Sequence, residues 1–354
     1  MLVDTGSTRS SFDSRHRTLL GRPVGRTTMH TLAGESAFEK FKAPLMRYGG
    51  ITAAPVDEVV CHDLRPVSYA LGETIDGLLG MDLLCLHTIS IDFDAGRLEI
   101  YPAAGPQFGT PVPLEWDHLA AFRIPHVVAD FGDGTRQLLK LDTGFGTTFA
   151  GGLSAESYDR LVEAGQLKPL GPHAQAAFAA ADRVVQGALA RADRCTVGAN
   201  THNTLLFAKM RTGRLGLGYL SRYIVTFDFP NSVMYLRPGK GFPRADTWEM
   251  SGLDLVRSRE GITVAAVADC SPGATAGIRN GDLIVAVGGK SVQNMSLSAF
   301  RRTVASRQRH VIRVRRAKTD RDVVLDLGVS PPSLSTGKTL EAQREINKGS
   351  AVTP

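Results

Sequence analysis

The chain is poor in most of the features that would announce a metal, a cofactor or a membrane. Its four cysteines, Cys61, Cys85, Cys195 and Cys270, are scattered, with no Cys-x-x-Cys pair and no metal-ligand spacing. That distribution argues against a disulfide framework and a zinc site. The nine histidines are dispersed as well, so neither a metal nor a cofactor is expected. Apolar runs are short. The longest near-candidate, residues 262–268, is strand-sized, far below the roughly 20 residues of a spanning helix, and no membrane span is expected. Aromatic residues make up 7% of the chain, and none is interleaved with the basic residues as stacking on nucleic-acid bases would need.

What is present is enough for real hydrophobic cores. The 354 residues are 43% apolar, with 37 glycines and 18 prolines, which fits a turn-rich globular protein of two or three domains. The net charge of +6 is uneven: residues 1–251 carry 25 positive and 26 negative charges, residues 252–330 carry 13 and 7. The surplus centres on Arg301, Arg302, Arg307, Arg309, Arg313, Arg315, Arg316 and Lys318. Such a cluster reads either as a surface for an acidic partner or nucleic acid, or as a solvated face. Arg313 and Arg315 alternate with Ile312 and Val314, the pattern of a half-buried strand. The solvated face is the preferred reading, with no nucleic-acid partner.

The most informative feature is a tripeptide that occurs twice. Asp4-Thr5-Gly6 and Asp142-Thr143-Gly144 lie 138 residues apart, each entered from a short apolar run. One copy means little, since Asp and Gly are ordinary turn residues. Two copies matter because two carboxylates brought face to face cannot both ionise; they share a proton and take opposite acid and base roles.

The likeness continues downstream. Gly77-Leu78-Leu79-Gly80 is followed by Ile89-Ser90-Ile91-Asp92-Phe93 and a return through Leu98 and Ile100 to Pro102. Leu215-Gly216-Leu217-Gly218 is followed by Val225-Thr226-Phe227-Asp228-Phe229 and a return to Pro238. Gly80 and Gly218 each stand 76 residues after their Asp, and Asp92 and Asp228 each 10 before the closing proline. Two related, mainly β units are the economical explanation. One helix is signalled by Ser154 as N-cap, an apolar stripe of Tyr158, Leu161 and Val162, and Gly165 as terminator. A shorter counterpart is expected over residues 14–20, stopping at Gly21. A hairpin is expected around Phe131-Gly132-Asp133-Gly134. The expected division is residues 1–102 and 114–238 as the two units, with linkers at 103–113 and 239–251. A third unit spans 252–328, and residues 329–354 form a disordered tail.

Asp-Thr-Gly-Ser after an apolar strand, followed far downstream by Leu78-Leu79-Gly80 and Met81-Asp82-Leu83-Leu84, resembles the aspartic proteases. It is most similar to bacterial retropepsin-like domains, here two in one chain over residues 1–238. The resemblance implies two pseudo-symmetric acid-protease β-barrel lobes, each giving one Asp to a cleft, with Asp4 and Asp142 as the catalytic dyad. It implies that Thr5 and Thr143 tie the loops together, that Gly6 and Gly144 let the backbone turn beneath the carboxylates, and that the Gly80 and Gly218 motifs pack below. Ser7 is expected to hydrogen-bond its carboxylate, whereas its counterpart Phe145 has no such proton and would crowd the cleft. A flap tip falls by position at Thr31-Leu32-Ala33-Gly34-Glu35; a turn unrelated to substrate is the alternative. Only three residues precede Asp4, so the first unit reads as N-terminally incomplete. A second copy of the chain supplying the lacking strands stays open, and the compartment is unknown.

Ser271-Pro272-Gly273-Ala274 through Gly277-Ile278, then Asn280-Gly281-Asp282-Leu283-Ile284, resembles a bacterial PDZ domain of α+β type. The resemblance implies peptide binding by strand addition at Gly252, Leu253, Asp254 and Leu255. Asp254 stands where the pattern has a glycine and would repel a terminal carboxylate, so internal segments, or docking against the other units, are alternatives. The expectation is an aspartic endopeptidase with PDZ-assisted recruitment of a peptide or protein substrate. The competing expectation is a catalytically inactive peptide-binding protein with the same fold.

Overall fold

The computed structural model describes residues 1–327 apart from 32–33, 49–50, 53–55, 102–103, 117–123, 147, 172–173, 180–183, 247–249, 258–259, 269–270 and 305–307. The expected tail at 329–354 lies outside the described residues. Among these, strands dominate and form four larger sheets and one two-stranded ribbon. Their patterning is the cause. Pro125–Asp130 and its antiparallel partner Arg136–Leu141 each alternate buried with more exposed positions, which fixes both the face that is buried and the register. The turn between them holds Gly132 and Gly134 at φ +105° and +72°, backbone that glycine adopts freely.

The first unit has a six-stranded sheet in the order Leu2–Val3, Gly77–Leu79, Ser11–Asp13, Glu58–His62, Gly34–Lys42, Pro23–Thr31. The second has an eleven-stranded sheet. Neither closes on itself, so the barrels expected for the lobes are open sheets. The outer strands of the first sheet, Leu2–Val3 and Pro23–Thr31, do not pair, and closure requires that pairing.

Both expected helices form. Ser154 Oγ accepts the Ser157 N–H at 3.2 Å and caps Ala155–Glu163, which buries Tyr158 and Leu161. Its counterpart is a 3₁₀ turn Ser14–His16 continued by Arg17–Leu20 and ended by Gly21 at φ +83°.

The two expected hairpins join into one sheet. Thr88–Asp92 pairs Arg97–Tyr101 on one side and Tyr223–Asp228 on the other, with Ile89 opposite Phe227 and Ile91 opposite Val225. Val233–Pro238 follows, and then Thr110–Pro113. That last strand corrects the reading of 103–113 as linker. Pro111 and Pro113 sit on the outermost strand, where a missing N–H breaks no ladder bond. One apolar core runs through both units, from Leu79, Met81 and Ile89 to Val127, Leu141, Tyr219 and Phe227.

The segment 239–251 is likewise more than a tether. The Asp246 side chain is buried, ion-pairs with buried Arg222, and accepts the N–H groups of Ala150 and Leu206 at 2.9 and 2.7 Å. The C-terminal sheet runs Leu253–Arg257, Ile262–Val267, Leu283–Val287, Arg309–Arg316, Thr319–Asp326 over a core of its own. Ile312 and Val314 are fully buried, while Arg309, Arg313 and Arg315 pair across the strand with Asp326, Asp322 and Asp320. The basic cluster on this strand is a solvated, charge-paired face. No helix among the described residues is long and apolar enough to cross a membrane.

Candidate active site

The two Asp-Thr-Gly loops are built alike. Leu2–Val3 pairs in parallel with Leu78 and Leu79, and the Asp4 N–H donates to the Leu79 carbonyl at 2.9 Å. Lys140 and Leu141 pair in parallel with Arg214 and Leu215, and the Asp142 N–H donates to the Leu215 carbonyl at 2.9 Å. By this register the partner of Gly80 is Gly216 rather than Gly218, which corrects the sequence matching by two residues. Equal counting from the Asp misleads because the second unit is shorter between its Asp and the parallel strand: Leu79 stands 75 residues after Asp4, and Leu215 only 73 after Asp142.

The loops then lock together. The Thr5 N–H donates to Thr143 Oγ1 at 3.0 Å, and the Thr143 N–H donates to Thr5 Oγ1 at 3.1 Å. Each hydroxyl passes its proton across the interface, Thr5 to the Leu141 carbonyl at 2.8 Å and Thr143 to the Val3 carbonyl at 2.7 Å. Both threonines are buried, and three of the four bonds are made away from water, where an unmade one is costly. The carboxylates are exchanged in the same reciprocal way. A Cβ added to Gly6 would lie 2.5 and 2.7 Å from the Asp142 carboxylate oxygens, and one added to Gly144 would lie 2.7 Å from both of Asp4's. Each carboxylate thus rests on the other loop's glycine, and only glycine leaves it room.

The electrostatics differ between the halves. Asp4 accepts the Gly6 N–H at 2.8 Å and keeps part of its surface open. Desolvation by the surrounding protein, then the Asp142 charge, push its pKa up to about 7, against the opposing pull of the Gly6 N–H, Lys140 and Arg214. Asp142 is buried, and its Oδ2 takes the Arg214 guanidinium at 2.6 Å. Arg214 also donates to Thr212 Oγ1 at 2.6 Å and lies over the Phe145 ring, 5.5 Å from its centroid. Lys140 Nζ reaches the Gly6 carbonyl at 3.3 Å.

Two expectations about the flanking residues change. Ser7 donates its proton to the Arg9 carbonyl at 2.9 Å and not to the carboxylate, because the loop turns back there. Phe145 does not crowd the carboxylates: it is buried against Phe149, Ala174 and Leu189. The roles of Asp82, Lys140 and Arg214 escaped sequence reasoning. Asp82 accepts the Ser10 N–H at 2.8 and 2.9 Å and its hydroxyl at 2.7 Å, while Ser10 Oγ accepts the Gly80 N–H. This ties the first loop to the helix that follows Gly80. A signal existed for Lys140 and Arg214: each is a charge inside a strand whose counterpart holds Leu2 or Leu78.

The flap candidate lies on a real hairpin, Pro23–Thr31 with Gly34–Lys42 and Thr31 opposite Gly34; Leu32 and Ala33 lie outside the described residues. Of the PDZ candidates, Gly252 is at φ +69° with its carbonyl holding the Ala268 N–H, and Leu253 and Leu255 are buried. Their strand, Leu253–Arg257, is an edge strand. Asp254 precedes a bulge, and burial raises its pKa against the pull of Arg301. The Arg65–Leu71 helix of the first unit packs on the strand and on the Leu297–Val304 helix. A Cβ on Gly72 would lie 3.3 Å from Leu297 Cβ and 3.5 Å from Arg257 Cβ. Leu71, on the same helix, reaches the dyad loop, 3.6 Å from where a Gly146 Cβ would be.

Comparison with known proteins finds two families, matched at opposite ends of the chain. Residues 1–83 match the family model for aspartyl protease, and residues 263–316 match that for the PDZ domain. No curated protein matches the chain. Among solved structures it is similar to the HtrA3 PDZ domain bound to a phage-derived ligand, at 30% identity and a TM-score of 0.18. That match covers 20% of this chain and 65% of the other, just under two thirds. The chain carries an aspartyl protease domain at its N-terminal end and a PDZ domain at its C-terminal end. Together they support a protease with peptide binding in general.

Proposed function

We propose that this chain is an aspartic endopeptidase of retropepsin-like type, in which Asp4 and Asp142 activate one water molecule and the PDZ domain recruits peptide. The observation that carries the reading is the reciprocal grip, which sets each carboxylate on the other loop's glycine. A pair so close shares one proton. With a pKa near 7, Asp4 is the member that holds it, which leaves Asp142 as the base. Water attacks the scissile carbonyl carbon as its proton passes to Asp142, and the Asp4 proton passes to the carbonyl oxygen. On collapse Asp142 gives that proton to the leaving nitrogen, the C–N bond breaks, and Asp4 takes back its own.

The test is digestion of a peptide library between pH 3 and 7, with a pepstatin-like inhibitor as control. Asp4→Asn and Asp142→Asn should each abolish cleavage, since either removes half of the pair. Cleavage surviving both substitutions sinks the mechanism. One observation favours the second reading, a peptide-binding protein without catalysis: the Arg214 ion pair engages an oxygen of Asp142. On that reading the intact chain binds peptides and cleaves none across the whole pH range.

A further inference from the structure

The two halves of the dyad are charged differently by the strands beneath them. In the first unit the paired positions below Asp4 are Leu2 and Leu78; in the second, below Asp142, the same register positions are Lys140 and Arg214. Two cations replace two leucines, in a place where a lone buried charge is costly unless paired. Arg214 is paired. Its guanidinium is oriented by Thr212 Oγ1 and by the Phe145 ring, and it reaches Asp142 at 2.6 Å with both side chains 8% exposed. Phe145, which fills the position after Gly144, is therefore the platform on which this cation lies.

We propose that Arg214 is a positioning residue that breaks the symmetry of the dyad, holding Asp142 as the carboxylate and so assigning the shared proton to Asp4. The inference rests on the dyad reading above and adds an asymmetry that two Asp-Thr-Gly loops alone do not contain. The charged groups acting on Asp4 are Asp142, Lys140 and Arg214. Lys140 Nζ reaches the Gly6 carbonyl of the opposite loop at 3.3 Å, and the Arg214 guanidinium meets a dyad oxygen directly at 2.6 Å. Removing a cation disfavours every ionised state of the pair. Both limbs of the pH profile must then move the same way, to higher pH.

The experiment compares the full chain with Arg214→Leu, the side chain found at the matching position, Arg214→Gln, which stays polar, and Arg214→Lys, which keeps the charge. The expected result is that both limbs of the kcat/KM profile rise by about 1 to 3 pH units in the Leu and Gln variants. Cleavage on the acid side falls about tenfold for each unit moved. Arg214→Lys keeps the limbs near their original place with a lower kcat, because an ammonium lacks the planar fork. A second readout needs no cleavage: ¹³C-carboxyl titration of labelled aspartates, assigned with Asp4→Asn and Asp142→Asn, moves to higher pH in whichever neutral variant folds. If thermal stability drops while limbs and carboxyl titration stay put, Arg214 is merely structural and the inference is overturned. If the carboxyls shift but the intact chain cleaves nothing, the asymmetry stands and the protease reading alone fails.

Discussion

At the scale of single residues, the site turns on two glycines and one perturbed acid. Gly6 and Gly144 are required by close approach, since any Cβ would meet a carboxylate. Asp4 makes stability depend on pH. Its folded-state pKa, about 7, lies above the ordinary 3.8, so the folded state binds this proton more tightly than the unfolded chain does. The resulting stabilisation is complete below about pH 4 and is lost as pH rises through about 7. The melting temperature of the native chain, relative to Asp4→Asn, should therefore fall between pH 4 and pH 7. A difference that grows in the native chain's favour over that range would mean that Asp4 is ionised in the fold.

At the scale of elements, the consequential contact is the Arg65–Leu71 helix on the edge strand Leu253–Arg257. On the proposed peptide-binding role, an added strand needs the hydrogen-bonding edge of that strand, and the Arg65–Leu71 helix with Gly72 stands beside it. Arg301, from the Leu297–Val304 helix, already donates to the Leu255 carbonyl at 3.2 Å. Peptides must then displace the helix, and the closed arrangement lowers apparent affinity by the fraction of molecules that are open. Gly72→Val places a branched side chain against Leu297 at a φ of +75°, which pushes the helix away. Fluorescence polarisation with a peptide chosen by phage display on the full chain should show binding about tenfold tighter in Gly72→Val. Equal affinities would mean that the edge is already open.

At the scale of the whole molecule, the chain has one core shared by the first two units and a separate one in the C-terminal sheet. The shared core follows from the five-stranded sheet, whose middle is the pairing of Thr88–Asp92 with Tyr223–Asp228. Calorimetry should accordingly resolve two transitions. Phe227→Ala, at roughly 3–5 kcal/mol for a buried Phe, should lower one of them, and Phe300→Ala the other. If both variants lower the same transition, the inter-unit contacts bind the molecule into one cooperative body.

Much of this was legible from residues. Alternation over Ile312 to Arg315, the N-cap at Ser154, the turn glycines and the two Asp-Thr-Gly segments are local signals, and each element formed as its pattern required. The strand at Thr110–Pro113 was hidden by its prolines, which mark a linker unless the strand proves to be an edge. Asp246 was hidden because its partners, Arg222, Ala150 and Leu206, are 24 to 96 residues away. Register was the subtler failure. Counting from the Asp paired Gly80 with Gly218, whereas hydrogen bonds to Leu79 and Leu215 pair it with Gly216.

By itself, the order of residues determined that this chain is mainly β, that two acidic turns recur in it and that a PDZ-like unit follows, because turn chemistry and side-chain period are local properties. Only the tertiary structure decided that the two threonines bond reciprocally, that Phe145 supports an arginine instead of blocking a cleft, and that one carboxylate is neutralised by a cation while the other is desolvated. Those outcomes depend on distances between residues far apart in sequence, and burial and charge act through distance.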